Sequence, residues 1–298
     1  MDVSGIFPAL TTPFTADGAV ALDDLKFNIQ KYNSTALAGY VVIGSTGEST
    51  MLSRKEIDTI LTGVKEVAGK DKKLIAGTGV ESTAETIERT KRAAELGYHV
   101  ALVKTPYYYK PAYNADTYIK HYRAVADASP IPILVYVVPV FTGVTLDIST
   151  IATIAKHPNV IGIKDSTGDV RRIGEMRNEI DPSFQILTGA AAVLLPCLTM
   201  SANGAILALA CALPQKCAAL YQLFSQGEYT KARELQLTLT KASKTLVADL
   251  SIPGVKYAMD VHGYRGGFPR LPIQPLHPEQ KNRVTQLLET LEPAVARA

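Results

Sequence analysis

Val160-Ile161-Gly162-Ile163-Lys164-Asp165-Ser166-Thr167-Gly168-Asp169 is an apolar run that stops on a lysine and then turns through small and polar residues. Its length and composition predict a strand buried on both faces. Ser, Thr, Gly and Asp form turns and helix caps, so a helix should start near Gly168. Lys164 therefore belongs at the carboxyl end of a buried strand. Burial moves a lysine amine toward the range in which its neutral form can attack a carbonyl. Two readings fit that position, a Schiff-base nucleophile or a lysine paired with a carboxylate at the rim of a sheet.

The same unit repeats outward from this stretch. Short apolar runs begin at Gly5, Gly39, Lys73, Val100, Ile133, Val160, Gln185 and Gly204. Helix-length amphipathic segments lie between them, near 22–35, 53–68, 82–96, 114–127, 147–156, 169–179, 191–200 and 214–225. The strand ends recur about every 27 residues, which fits βα units whose parallel strands are covered on both sides. Eight units predict an α/β fold, a (β/α)8 TIM barrel, with a doubly wound open sheet as the competitor. Ser53 with Glu56 and Ser82 with Glu85 read as capping boxes. After residue 225 the strands stop. Glu228 to Ala248 reads as one helix, Pro253 opens a segment to Val261, and Pro278 opens a last helix to Leu291. The expected division is a barrel over 1–225 and a helical appendage over 226–298.

The chain has 298 residues, 47% apolar and 20% charged, an ordinary balance for a soluble globular protein. A formal charge of +3 with no basic block argues against nucleic acid. No run reaches the length needed to span a bilayer, and the first residues lack a signal-peptide pattern, so the expected location is the cytoplasm. Cys197, Cys211 and Cys217 lie in apolar surroundings and read as core thiols. The five histidines show no metal-ligand spacing, so no metal and no cofactor are expected.

In a barrel the reacting groups sit at the carboxyl ends of the strands. Gly44-Ser45-Thr46-Gly47-Glu48-Ser49 could make an anion pocket from N–H groups and hydroxyls, or be only a tight turn. In Lys104-Thr105-Pro106-Tyr107-Tyr108-Tyr109, at least one tyrosine should face a site or an interface. Tyr136 ends the fifth strand, one unit before Lys164, where its hydroxyl could shuttle protons to an amine, or simply pack in the core.

With these residues in place, the chain resembles the dihydrodipicolinate synthase / N-acetylneuraminate lyase family of pyruvate-dependent class I aldolases. The segments that carry the resemblance are Thr11 to Phe14, Gly44 to Ser49, Thr105 to Pro111, Tyr136 to Gly143 and Gly162 to Gly168. The resemblance implies a barrel assembled as a homotetramer, a dimer of dimers. It implies that Lys164 forms an imine with pyruvate or another 2-oxo acid, with an aldehyde as the second partner. It makes Tyr136 the proton-transfer residue, Ser45 and Thr46 the carboxylate binders, and Thr46 the hydroxyl linked to Tyr136. It further implies that Tyr108 reaches across a dimer interface and that the backbone carbonyl of Ile206 faces the site.

One position departs from the synthase pattern. Phe141 stands where those enzymes place an arginine for the second substrate's carboxylate, and Val137 replaces an asparagine. Phenylalanine cannot supply a bidentate cation. His157 to Val160, Lys164 to Ser166 with Gly168 to Val170, Arg172 to Gly174 and Tyr264 to Leu276 are similar instead to the 4-hydroxy-2-oxoglutarate aldolase branch, with Ser166 as a contact for the substrate's distal end. The expectation is therefore an aldolase of that kind. Dihydrodipicolinate synthase and a sugar-acid aldolase or dehydratase are the alternatives, and a non-catalytic 2-oxo acid binding protein is the alternative of another class.

Overall fold

The computed structural model describes residues 1–291. Eight parallel strands form one sheet: β1 (Gly5–Pro8), β2 (Gly39–Val42), β3 (Lys73–Gly77), β4 (Val100–Lys104), β5 (Ile133–Val137), β6 (Val160–Asp165), β7 (Gln185–Thr188) and β8 (Gly204–Leu207). From β2 to β8 each strand pairs with the next, and β8 pairs with β1. The ring closes where Ala9 bridges Val41 and Ala38 N–H donates to the Ile6 carbonyl at 2.9 Å. The chain is thus a (β/α)8 barrel with helices after its last strand, and closure rules out the open sheet.

Leu134 and Tyr136 face the interior with Phe7, Val41, Leu102, Leu187 and Ile206, while Ile133, Val135 and Val137 pack against the helices. Both faces of β5 are buried, so the sequence shows an unbroken apolar run rather than alternation. The alternation slips at one place. Ile133 is in register with Val160 but Leu134 with Gly162, a bulge that leaves Ile161 unpaired. Gly162 makes this tolerable, since a Cβ there would lie 2.2 Å from the Gln185 carbonyl oxygen.

Ser53 caps the Arg54–Val67 helix with a complete capping box to Glu56. The second box is only half formed. Ser82 accepts from Glu85 N–H, but the Glu85 carboxylate is drawn away to Arg54 and Arg89. The three cysteines are buried and unpaired. No helix among the described residues is long and apolar enough to cross a membrane.

Beyond the barrel, the expected single helix is Tyr229–Ser243, which relaxes into a π-helical stretch at Lys244–Asp249. The next helix, Ser251–Val261, begins two residues before Pro253, which sits in its first turn, where a missing N–H costs nothing. Lys256 on that helix reaches back to the barrel. Its Nζ lies 2.6 Å from Glu48 Oε1, 2.8 Å from the Thr12 carbonyl and 2.7 Å from the Phe268 carbonyl. Arg270, in the connector between that helix and the last one, Pro278–Leu291, pairs with Glu56, bonds the Gly18 and Met51 carbonyls and lies over the Phe14 ring. The C-terminal segment therefore pins the loops after β1 and β2.

Candidate active site

The bulge in β5–β6 sets the register of the barrel mouth. Lys104 of β4 lies beside Tyr136 of β5, and Tyr136 lies beside Lys164 of β6. Three side chains on adjacent strands thus form one inward-facing layer. Lys164 is 4% exposed, and its Nζ sits 4.2 Å from the centre of the Tyr136 ring. A cation over a ring face is favourable, and the contact holds the amine beside the phenol.

Burial pushes the Tyr136 phenol up, but the charge of Lys164 and hydrogen bonds with Ser45, Lys164 and Ser166 outweigh it, so the net shift is downward. A phenol eased in this way can give and recover a proton beside an amine. The hydroxyl that meets Tyr136 is that of Ser45, at 3.5 Å. Thr46, expected in that role, lies one step further along the Ser45–Gly47 turn and has no bond to Tyr136. The turn follows Ile43, whose φ of 61° is costly for a β-branched residue.

Ser166 also comes to Tyr136. Its N–H donates to the Val137 carbonyl at 2.9 Å, and the absence of a side chain at Gly189 leaves room for its hydroxyl. The following loop is held by Asp165, which accepts from Thr167 N–H at 2.9 Å and pairs with Arg172 at 3.2 Å.

Outside this layer lies a cavity of about 190 Å³, lined by Ser45, Lys104, Tyr107, Phe141, Thr142 and Ile252 among others. Phe141, on the short Pro139–Thr142 helix, supplies an apolar wall. Ile206 is buried in the interior on β8. Tyr108 points elsewhere: it is 71% exposed and packs edge-on against Tyr109. Glu81 Oε2 anchors the tyrosine loop by accepting from Tyr107 N–H at 2.9 Å and Tyr108 N–H at 2.8 Å. A hollow of about 320 Å³ between the Ser251–Val261 helix and the connector contains neither Lys164 nor Tyr136. Among the described residues no cluster of His, Cys, Asp or Glu is placed to hold a metal.

Sequence reasoning passed over Lys104 and Glu81. For Lys104 a signal existed: Val100 to Val103 ends on a lysine just as Val160 to Ile163 does. Glu81 carried none, because its role depends on a loop from another βα unit.

Comparison with known proteins gives the lineage of this site. The Dihydrodipicolinate synthetase family matches residues 2–291. A 4-hydroxy-tetrahydrodipicolinate synthase from Exiguobacterium sp. is 35% identical over 286 residues, covering 96% of this chain and 97% of the relative. Another from Natronomonas pharaonis is 34% identical, covering 97% of this chain and 98% of that one. A crystal structure of dihydrodipicolinate synthase from Bacillus anthracis superposes with a TM-score of 0.93 at 27% identity, over 98% of this chain and all of that one. The chain belongs to the Dihydrodipicolinate synthetase family and is a class I aldolase or lyase, an enzyme that works through a lysine Schiff base.

Proposed function

We propose that Lys164 is the imine-forming lysine and that the enzyme makes or breaks a carbon–carbon bond to pyruvate. The observation that carries this is the Lys164 amine held 4.2 Å from the Tyr136 ring at the carboxyl end of the barrel. The amine attacks the keto carbon of pyruvate. Tyr136 donates a proton to the departing hydroxyl, water leaves, and the imine forms. The Tyr136 phenolate takes a proton from the methyl carbon to give an enamine, which attacks the aldehyde carbon while Tyr136 returns the proton to the aldehyde oxygen. Hydrolysis then frees Lys164. Ser45 and Thr46 bind the pyruvyl carboxylate at the turn after β2. Ser166 orients the Tyr136 hydroxyl in addition to any contact with substrate. Tyr108, exposed on one chain, serves the site of a second copy in a dimer of dimers.

The second substrate follows the relatives first. Their names favour 4-hydroxy-tetrahydrodipicolinate synthase, the condensation with aspartate semialdehyde, over the 4-hydroxy-2-oxoglutarate aldolase branch expected from the loop motifs. The second reading, cleavage of 4-hydroxy-2-oxoglutarate, keeps the support of those loop motifs, and Phe141 in the outer cavity leaves the synthase reading without its arginine.

Borohydride reduction in the presence of pyruvate, read by intact mass, tests the imine. Wild type gains one pyruvyl adduct and Lys164→Ala gains none. An equal adduct on both proteins, or none on wild type, refutes the assignment. Initial rates with aspartate semialdehyde and with 4-hydroxy-2-oxoglutarate then separate the two readings.

A further inference from the structure

We infer that Lys104 binds the carboxylate at the distal end of the substrate chain, the group that the acceptor aldehyde brings to the site. The inference rests on the Schiff-base reading of Lys164 and names the class of its second substrate: an aldehyde bearing a carboxylate.

Lys104 ends β4 in the layer that holds Tyr136 and Lys164. It lines both the narrow inner cavity with Ser45 and Tyr136 and the outer one with Phe141. Among the described residues its amine has one ring contact, Tyr107 at 4.9 Å from Nζ, and no carboxylate within ion-pair distance. Burial presses its amine downward, an effect that the more distant Glu81 and Tyr136 offset only in part. An ammonium in that condition gains from a bound anion.

The other cations around the mouth are engaged. Arg172 pairs with Asp165 and bonds the Leu146 carbonyl, Arg171 pairs with Asp169 and Glu175, and exposed Lys110 bonds the Thr142 carbonyl. Lys104 is left to do what Phe141 cannot.

Lys104 and Lys164 flank Tyr136 on successive strands of one inward-facing layer, so a chain joined to Lys164 as an imine can reach Lys104 across Tyr136.

The test uses two 2-oxo acids of equal length, 2-oxoglutarate and 2-oxopentanoate, which differ by a distal carboxylate against a methyl group. The half-saturating concentration for borohydride trapping is measured for each on wild type, Lys104→Met and Lys104→Arg. Wild type traps 2-oxoglutarate at least tenfold more readily. Lys104→Met loses most of that preference, and Lys104→Arg keeps it within about threefold, as expected when a cation is retained. A preference unchanged in Lys104→Met, or absent from wild type, overturns the inference. So does an equal loss on both acids, which would mean that Lys104 only supports Tyr136. Pyruvate trapping on the same proteins reads the Schiff base itself. No pyruvyl adduct on wild type refutes the parent reading, whereas an adduct with no distal preference refutes Lys104 alone. Should Lys104→Met fail to fold, Lys104→Gln carries the same comparison.

Discussion

Substituting Lys256 by Met tests how the C-terminal helices hold the barrel mouth. Lys256 is 1% exposed, and its ammonium meets Glu48, which sits at φ 56° just after the Ser45–Gly47 turn. Two backbone carbonyls, from Thr12 and Phe268, complete its hydrogen bonds, and the Phe14 ring lies 4.7 Å away. Methionine fills the volume but supplies no donor. The substitution therefore strands a buried carboxylate and two carbonyls rather than merely deleting a favourable contact. Breaking one side of a buried pair costs about 3–5 kcal/mol. At roughly 2–4 °C per kcal/mol for a large domain, the melting temperature should fall by about 6–20 °C. Thermal unfolding followed by circular dichroism measures this directly. The cause is isolated by the double variant Lys256→Met/Glu48→Gln, which removes the stranded charge and should recover a large part of the loss. A single variant that melts within 2 °C of wild type, or a double variant no better than the single, would refute the reasoning.

Three further outcomes follow from the same geometry. Tyr136→Phe keeps the ring under Lys164 but removes the hydroxyl bonded to Ser45, so kcat should fall by about 10²–10⁴ while the protein stays folded; steady-state rates within threefold of wild type would contradict the proton-transfer role. Gly189→Ala places a Cβ 1.8 Å from Ser166 Oγ and 3.1 Å from Ser166 Cα, so Ser166 must move; stability should drop by about 1–3 kcal/mol with slower imine formation in stopped-flow trapping, and wild-type values for both would show that the loop yields freely. Glu56 is held down at about 2 chiefly by its hydrogen bond to Arg270, against an opposing effect of burial. Because the folded value lies below the unfolded one, its contribution is present above about pH 4.5 and is lost as pH falls toward 2. At this partly exposed site that amounts to about 1–2 kcal/mol after solvent screening. Urea midpoints should thus place Glu56→Gln below wild type at pH 6 and level with it near pH 2, and a gap that persists in acid would sink the assignment.

Sequence by itself determined the elements and their order. Parallel strands covered on both faces leave apolar runs, and caps such as Ser53 mark where helices begin, so eight βα units could be counted from local signals alone. It also placed Lys164 and Tyr136 at strand ends, because a polar residue that closes a buried run stands out against its neighbours. What it could not determine was which side chains meet. That Ser45 rather than Thr46 bonds Tyr136 depends on the turn after Gly44. The tie from Lys256 to Glu48 joins residues far apart in the chain, and the slide into a π-helical stretch after Ser243 left no mark in the periodicity. The deciding event is the bulge at Ile161, which moves β6 by one residue against β5. Without that shift Tyr136 would lie beside outward-facing Ile163, since one residue of register turns a side chain to the other face of the sheet. With it, Lys104, Tyr136 and Lys164 share one layer. Register and barrel closure are long-range properties, and that is why the chemistry of this site belongs to the tertiary structure while its ingredients were already written in the strands.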